Sequence, residues 1–115
     1  MFIPQIIFDN WELARYTLRG IMDSDGSVFV SRKPGIERYP SMEITTTSLR
    51  LANQIRFLLI ERGFRVTKIR SALSKTSKRI AYRVCLYGKE NIRKWLREIG
   101  FSNLYKKNRA LEYIQ

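Results

Sequence analysis

The chain contains no histidine, and its only cysteine is Cys85. Without histidine there can be no Ser-His-Asp or Cys-His catalysis, and no nuclease built around a catalytic histidine. One thiol cannot complete a structural zinc site, which needs four soft ligands. Nor can it form an internal disulfide, which points to a reducing, intracellular setting: cytoplasm, nucleoid or an organelle. Any metal must therefore be a hard cation held by oxygen, such as Mg²⁺. Long apolar runs are also missing. None approaches the ~20 residues that cross a bilayer, so no membrane partner is expected. The opening "MFIPQIIFDN" has no basic stretch and ends on acid, unlike a signal peptide. Acid is scarce as well: 10 Asp plus Glu face 22 Lys plus Arg, a net charge of +12. So large a surplus points to a polyanionic partner, nucleic acid above all. The 115 residues suit one domain, 1–115, with a single core and no need of staples.

What is present reads as alternating helices and strands. Asp9 as N-cap with Glu12 three residues on predicts a helix from about Trp11 to Asp23. Glu12, Arg15, Arg19 and Asp23 form its polar stripe. Two further faces are non-polar: Ala14, Leu18, Ile21 and Met22 on one, Leu13, Thr17, Gly20 and Ser24 on the other. A surface helix normally buries one stripe; this one has two to bury. "GSVFVSRK" is a strand, Pro34-Gly35 a turn and "YPSMEITTTS" a second strand. "SLRLANQIRFLLIERGF" is a helix closed by Gly63, "FRVTKIRS" a third strand and "SALSKTSK" a mobile loop. "RIAYRVCLY" is a fourth strand, and "KENIRKWLREIGF" and "NLYKKNRALEYIQ" are helical. The order α-β-β-α-β-β-α predicts an α+β fold, a four-stranded antiparallel sheet with its helices on one face. The bare face would carry Ser31, Lys33, Thr45, Thr47, Lys68, Arg70, Arg79 and Arg83. A basic ribbon of this kind fits the major groove of double-stranded DNA.

The stretch "LRGIMDSDG", Leu18 to Gly26, sets two carboxylates one residue apart at a helix C-terminus. There they oppose the helix dipole by about 0.3–1 kcal/mol each, and they repel one another. A bound cation would offset both costs; a plain turn closed by a left-handed Gly26 is the simpler alternative. Asp23 has Arg19 one turn back as a partner, whereas Asp25 has none, which makes Asp25 the better metal ligand. A calcium loop is excluded, because its sixth and twelfth positions would be Val28 and Pro34. One motif is half a site for Mg²⁺ chemistry. Gly20 and Ser24 form a small-x-x-x-small pair. Either Gly20 packs against its own sheet, or a second copy of the helix packs on Leu13, Thr17, Gly20 and Ser24 about a two-fold axis, bringing two Asp25 side chains together.

"LRGIMDSDG" resembles the signature of the LAGLIDADG homing endonucleases, and the element order is that of one module of the family. The resemblance runs from Asp9 to about Tyr113, with Arg19 and Ser24 departing from the usual motif. It implies a homodimer in which Asp25 binds a divalent cation beside the Ser24 carbonyl. It implies that Thr47 orients water, and that Lys106, with Lys107 close behind, supports the scissile phosphate. The expected function is Mg²⁺-dependent, site-specific cleavage of double-stranded DNA at a long near-palindromic site, within an intron or intein-like element. The alternatives are a catalytically inactive DNA-binding protein or an RNA splicing maturase of the same fold, and a ribosome-associated or other structural basic protein in which the acidic motif has no role.

Overall fold

Among the described residues, nine elements follow one another in a computed structural model of the chain: α1 (Gln5–Phe8), α2 (Trp11–Asp25), β1 (Gly26–Lys33), β2 (Ile36–Thr46), α3 (Leu49–Glu61), β3 (Arg70–Leu73), β4 (Ile80–Tyr87), α4 (Lys89–Glu98) and α5 (Leu104–Tyr113). The structure describes residues 1–73 and 79–115, apart from the side chains of Lys33, Ile36 and Glu37. The four strands form one antiparallel sheet in the order β1-β2-β4-β3. Period-two alternation turns Val28, Met42, Ile44, Val84 and Leu86 to one face, where they are buried. Ala14, Leu18 and Met22 of α2, Leu51, Ile55 and Leu59 of α3, and Ile92 and Trp95 of α4 complete that core. Trp95, fully enclosed, still satisfies its indole N–H on the Gly100 carbonyl at 3.0 Å. Among the described residues no helix lies over the opposite sheet face.

Several boundaries differ from those expected. Asn10, not Asp9, caps α2, its side chain accepting from the Leu13 N–H at 3.3 Å. Asp9 ends the short α1 and accepts from the Gln5 amide at 2.8 Å. Strand β2 stops at Thr46 because Ser48 is taken as the N-cap of α3, accepting from the Leu51 N–H at 3.1 Å. The third strand begins late. Val66 bridges Leu86 and Arg70 pairs with Arg83, so four residue steps on one side face three on the other. The regular ladder therefore begins only at Arg70. Ser71 to Leu73, expected in the loop, belong to β3; Ser74 to Lys78 lie outside the described residues.

Candidate active site and nucleic-acid interface

The two motif carboxylates are directed to different partners. Asp23 reaches across to the start of α5, where its carboxylate accepts from the Ser102 N–H (3.1 and 3.2 Å) and the Asn103 N–H (3.0 Å). A negative charge at a helix N-terminus is favourable, so the apparent conflict with the dipole of α2 is resolved by the neighbouring helix. Lys106, in the first turn of α5, returns the arrangement: its ammonium donates to the Met22 carbonyl at 2.8 Å and the Asp23 carbonyl at 2.6 Å. Each helix thus closes the other's end with a charge of the favoured sign. The expected Arg19–Asp23 pair is not formed. Arg19 donates to the Ile99 carbonyl at 2.8 Å, at the C-terminus of α4, and lies over the Tyr16 ring at 4.9 Å.

Asp25 is exposed, with the Ser24 hydroxyl at 3.3 Å. Gly26 does not adopt a left-handed conformation; its φ is −95°. Glycine is required there by proximity, since a Cβ would lie 2.8 Å from the Met22 carbonyl oxygen and 3.0 Å from the Met22 Cα. This close approach turns the chain directly from α2 into β1. The register Gly26↔Ile44 then sets the start of β1 beside the end of β2. Asp25 and the exposed Thr47 therefore flank the same end of the sheet, and Lys106 borders it through α2. Two of the three Lys106 N–H groups are held by carbonyls, leaving one for another acceptor.

The donors fit a hard cation in part. Asp25 offers one exposed carboxylate, but among the described residues no group of three or more His, Cys, Asp or Glu converges to hold a metal. A cation here needs further oxygens, from water, phosphate or another chain. Ser24 turns its hydroxyl back to the Gly20 and Ile21 carbonyls at 3.0 and 3.3 Å.

The second non-polar face of α2 is bare. Leu13 and Tyr16 are 46% and 52% exposed, Gly20 and Ser24 are exposed and Thr17 is half-buried. A Cβ on Gly20 would meet nothing within 4 Å. The reading in which Gly20 packs against its own sheet is overturned. Tyr16, absent from the expected seam, shares its edge and carries the guanidinium groups of Arg15 and Arg19 at 4.6 and 4.9 Å.

The helix-free sheet face carries most of the expected polar set. Thr45, Arg83 and Arg70 form a row across β2, β4 and β3 through the pairs Thr45↔Arg83 and Arg70↔Arg83. Ser31 is on the same face and bonds to Ser41 at 2.9 Å. Arg79 is exposed just before β4, and Lys68 is exposed between Val66 and Arg70, outside the strands. The Lys33 side chain lies outside the described residues. A shallow hollow at the far end is lined by Ser31, Arg32, Tyr39, Arg70 and Tyr87. Glu43 was not expected there. Its carboxylate lies 3.7 Å from Arg83 Nε, accepts from Thr45 Oγ1 at 3.3 Å and has Cys85 Sγ at 3.8 Å. Its position two residues before Thr45 was the available signal. Burial raises the Cys85 thiol pKa; a hydrogen bond with Tyr87 opposes this and the Glu43 charge adds to it.

Comparison with known proteins matches residues 12–100 to the family described as LAGLIDADG-like domain. The chain is 30% identical to a replication factor C small subunit of Methanocaldococcus jannaschii over 98% of its own length and 6% of that protein's. It is 31% identical to a replication factor C small subunit of Thermococcus kodakarensis over 100% of its own length and 12% of that protein's. The chain thus spans a small fraction of the curated relatives it matches. Among the described residues no helix is long and apolar enough to cross a membrane.

Proposed function

The chain belongs to the LAGLIDADG homing endonuclease family, and from that premise we propose that it is a homodimeric, Mg²⁺-dependent endonuclease cutting a long, near-palindromic DNA site. The observation that supports this best is the contrast between the two carboxylates. Asp23 is engaged in fold-holding bonds, while Asp25 stands exposed at the sheet end beside an unpartnered helix face. Nucleases of this family in general bind DNA, dimerise and use divalent metals.

In this reading Asp25 holds the cation, with the Ser24 carbonyl as a neighbouring oxygen. When bound, Mg²⁺ supplies Lewis-acid stabilisation of the scissile phosphate and lowers the pKa of a bound water. The protein's own contributions are positional. Lys106 and Asp23 fix the last turn of α2, so Asp25 is presented from a rigid helix end. The third Lys106 N–H faces the phosphate, and the Thr47 hydroxyl hydrogen-bonds the attacking water. A two-fold axis along Leu13, Thr17, Gly20 and Ser24 brings a second Asp25 alongside the first. Ser31, Thr45, Lys68, Arg70, Arg79 and Arg83 line the DNA in each half. A short module matched inside much longer relatives suits a nuclease carried by an intein-like element.

Asp25→Asn tests the reading directly. The variant is expected to retain duplex binding in Ca²⁺ and to lose Mg²⁺-dependent cleavage, followed by gel analysis of a selected duplex. Cleavage at the wild-type rate would remove Asp25 from the reaction.

A further inference from the structure

Among the residues whose side chains are described, Glu43 is the one carboxylate on the helix-free sheet face, and neither the core nor the cation site accounts for it. Its side chain remains 21% exposed, outward from β2. A carboxylate is an acceptor only, so it cannot bond phosphate oxygens, and on a surface facing a polyanion it weakens attraction. In the major groove the donors are the exocyclic amino groups of cytosine and adenine, and carboxylates pair with cytosine N4. Oε1 is occupied by Arg83 and Thr45, whereas Oε2 has only a thiol at 3.8 Å, a weak donor. Oε2 therefore keeps acceptor capacity, and Arg83 lies beside it, its terminal N–H groups without a partner among the described residues and so open to guanine.

We propose that Glu43 reads a base, setting a cytosine preference at one mirrored pair in each half of the DNA site, with Arg83 as the adjacent guanine donor. The proposal rests on the reading that this sheet face lies in the major groove. The register also locates the pair. Glu43 stands opposite Ser27, two residues beyond Asp25, roughly 7 Å along a strand. The selected cytosine thus lies near the cut, in the inner part of each half-site.

The test is selection from a randomised duplex library in Ca²⁺ by the wild-type protein, Glu43→Gln and Glu43→Asp, each first shown folded by circular dichroism. The wild type is expected to select cytosine at a mirrored inner pair. Glu43→Gln, whose amide both donates and accepts, should shift that pair to adenine, with a change in relative affinity of about tenfold. Glu43→Asp, with the charge kept but the reach shortened, should lose the cytosine preference without gaining adenine. An unchanged base profile in both variants overturns the role of Glu43 and leaves the nuclease reading standing. Absence of any sequence selection by the wild type overturns both.

Discussion

Asp23 and Asp25 differ by two positions, yet one builds the fold and the other faces solvent. The helix turns about 200° between them, which aims Asp23 at the N–H groups of residues 102 and 103 and Asp25 at the end of the sheet. Capping bonds of this kind contribute about 0.5–2 kcal/mol each. Asp23→Ala and Lys106→Met are each expected to lower unfolding stability by about 1–2 kcal/mol, measured by urea titration. The double variant should lose less than the sum, since both act at one junction. If Lys106→Met is as stable as the wild type, the ammonium has no structural role. The exposure of Asp25 was legible in the sequence, which gives it no charged partner one turn back. The bonds of Asp23 and Lys106 were not, because they span 79 to 84 residues of chain and nothing local announces them.

At the scale of elements, α2 is a three-sided helix. One side enters the core, a second closes on the ends of α4 and α5, and the third is apolar, small and bare. The periodicity revealed all three sides, and the alternation of "GSVFVSRK" gave β1 its full span, Gly26–Lys33. Other elements were hidden by tertiary causes. The four-residue α1 is too short for a periodic signal; the segment before it is held by Gln54, which accepts from the Ile3 N–H at 2.7 Å and donates to the Ile3 carbonyl at 2.9 Å. The delayed start of β3 goes with a mismatch of four residue steps against three, which hydrophobic patterning does not encode. On the bare side, Gly20→Leu places its Cβ where nothing lies within 4 Å. It is therefore expected to leave the monomer folded, and even to favour the helix by up to about 1 kcal/mol, while blocking close helix–helix approach. Sedimentation should show the wild type as a dimer and this variant as a monomer. A variant that remains dimeric moves the interface elsewhere.

The whole molecule is two-sided: helices and core on one side of the sheet, an open polar and basic surface on the other. With a net charge of +12, its affinity for bulk duplex DNA should fall steeply with salt. Six or more phosphate contacts would give about a thousandfold loss between about 50 and 200 mM salt. Base discrimination at the Glu43 pair should change far less, because it compares two neutral base edges in the same field. Fluorescence anisotropy across a salt series separates the two; a flat salt response would contradict a phosphate-lined interface. The one-sided sheet could be inferred from four strands and their alternation. The acid within it could not be singled out without the register that brings Glu43, Arg83 and Cys85 together.

The mutual closure of α2 and α5 carries a consequence for how the protein is made. Synthesis delivers the N-terminal end first, so α2 emerges long before the residue that seals it, 84 positions later. Until Lys106 is out of the ribosome, the final turn of α2 has neither its cation nor the amides that engage Asp23, and Asp25 has no fixed mount. On the proposed reading, a nascent chain is a harmless basic polypeptide that can hold DNA and cannot cut it. Helix α5 thus acts as a safety catch, in place only once Lys106 has been made.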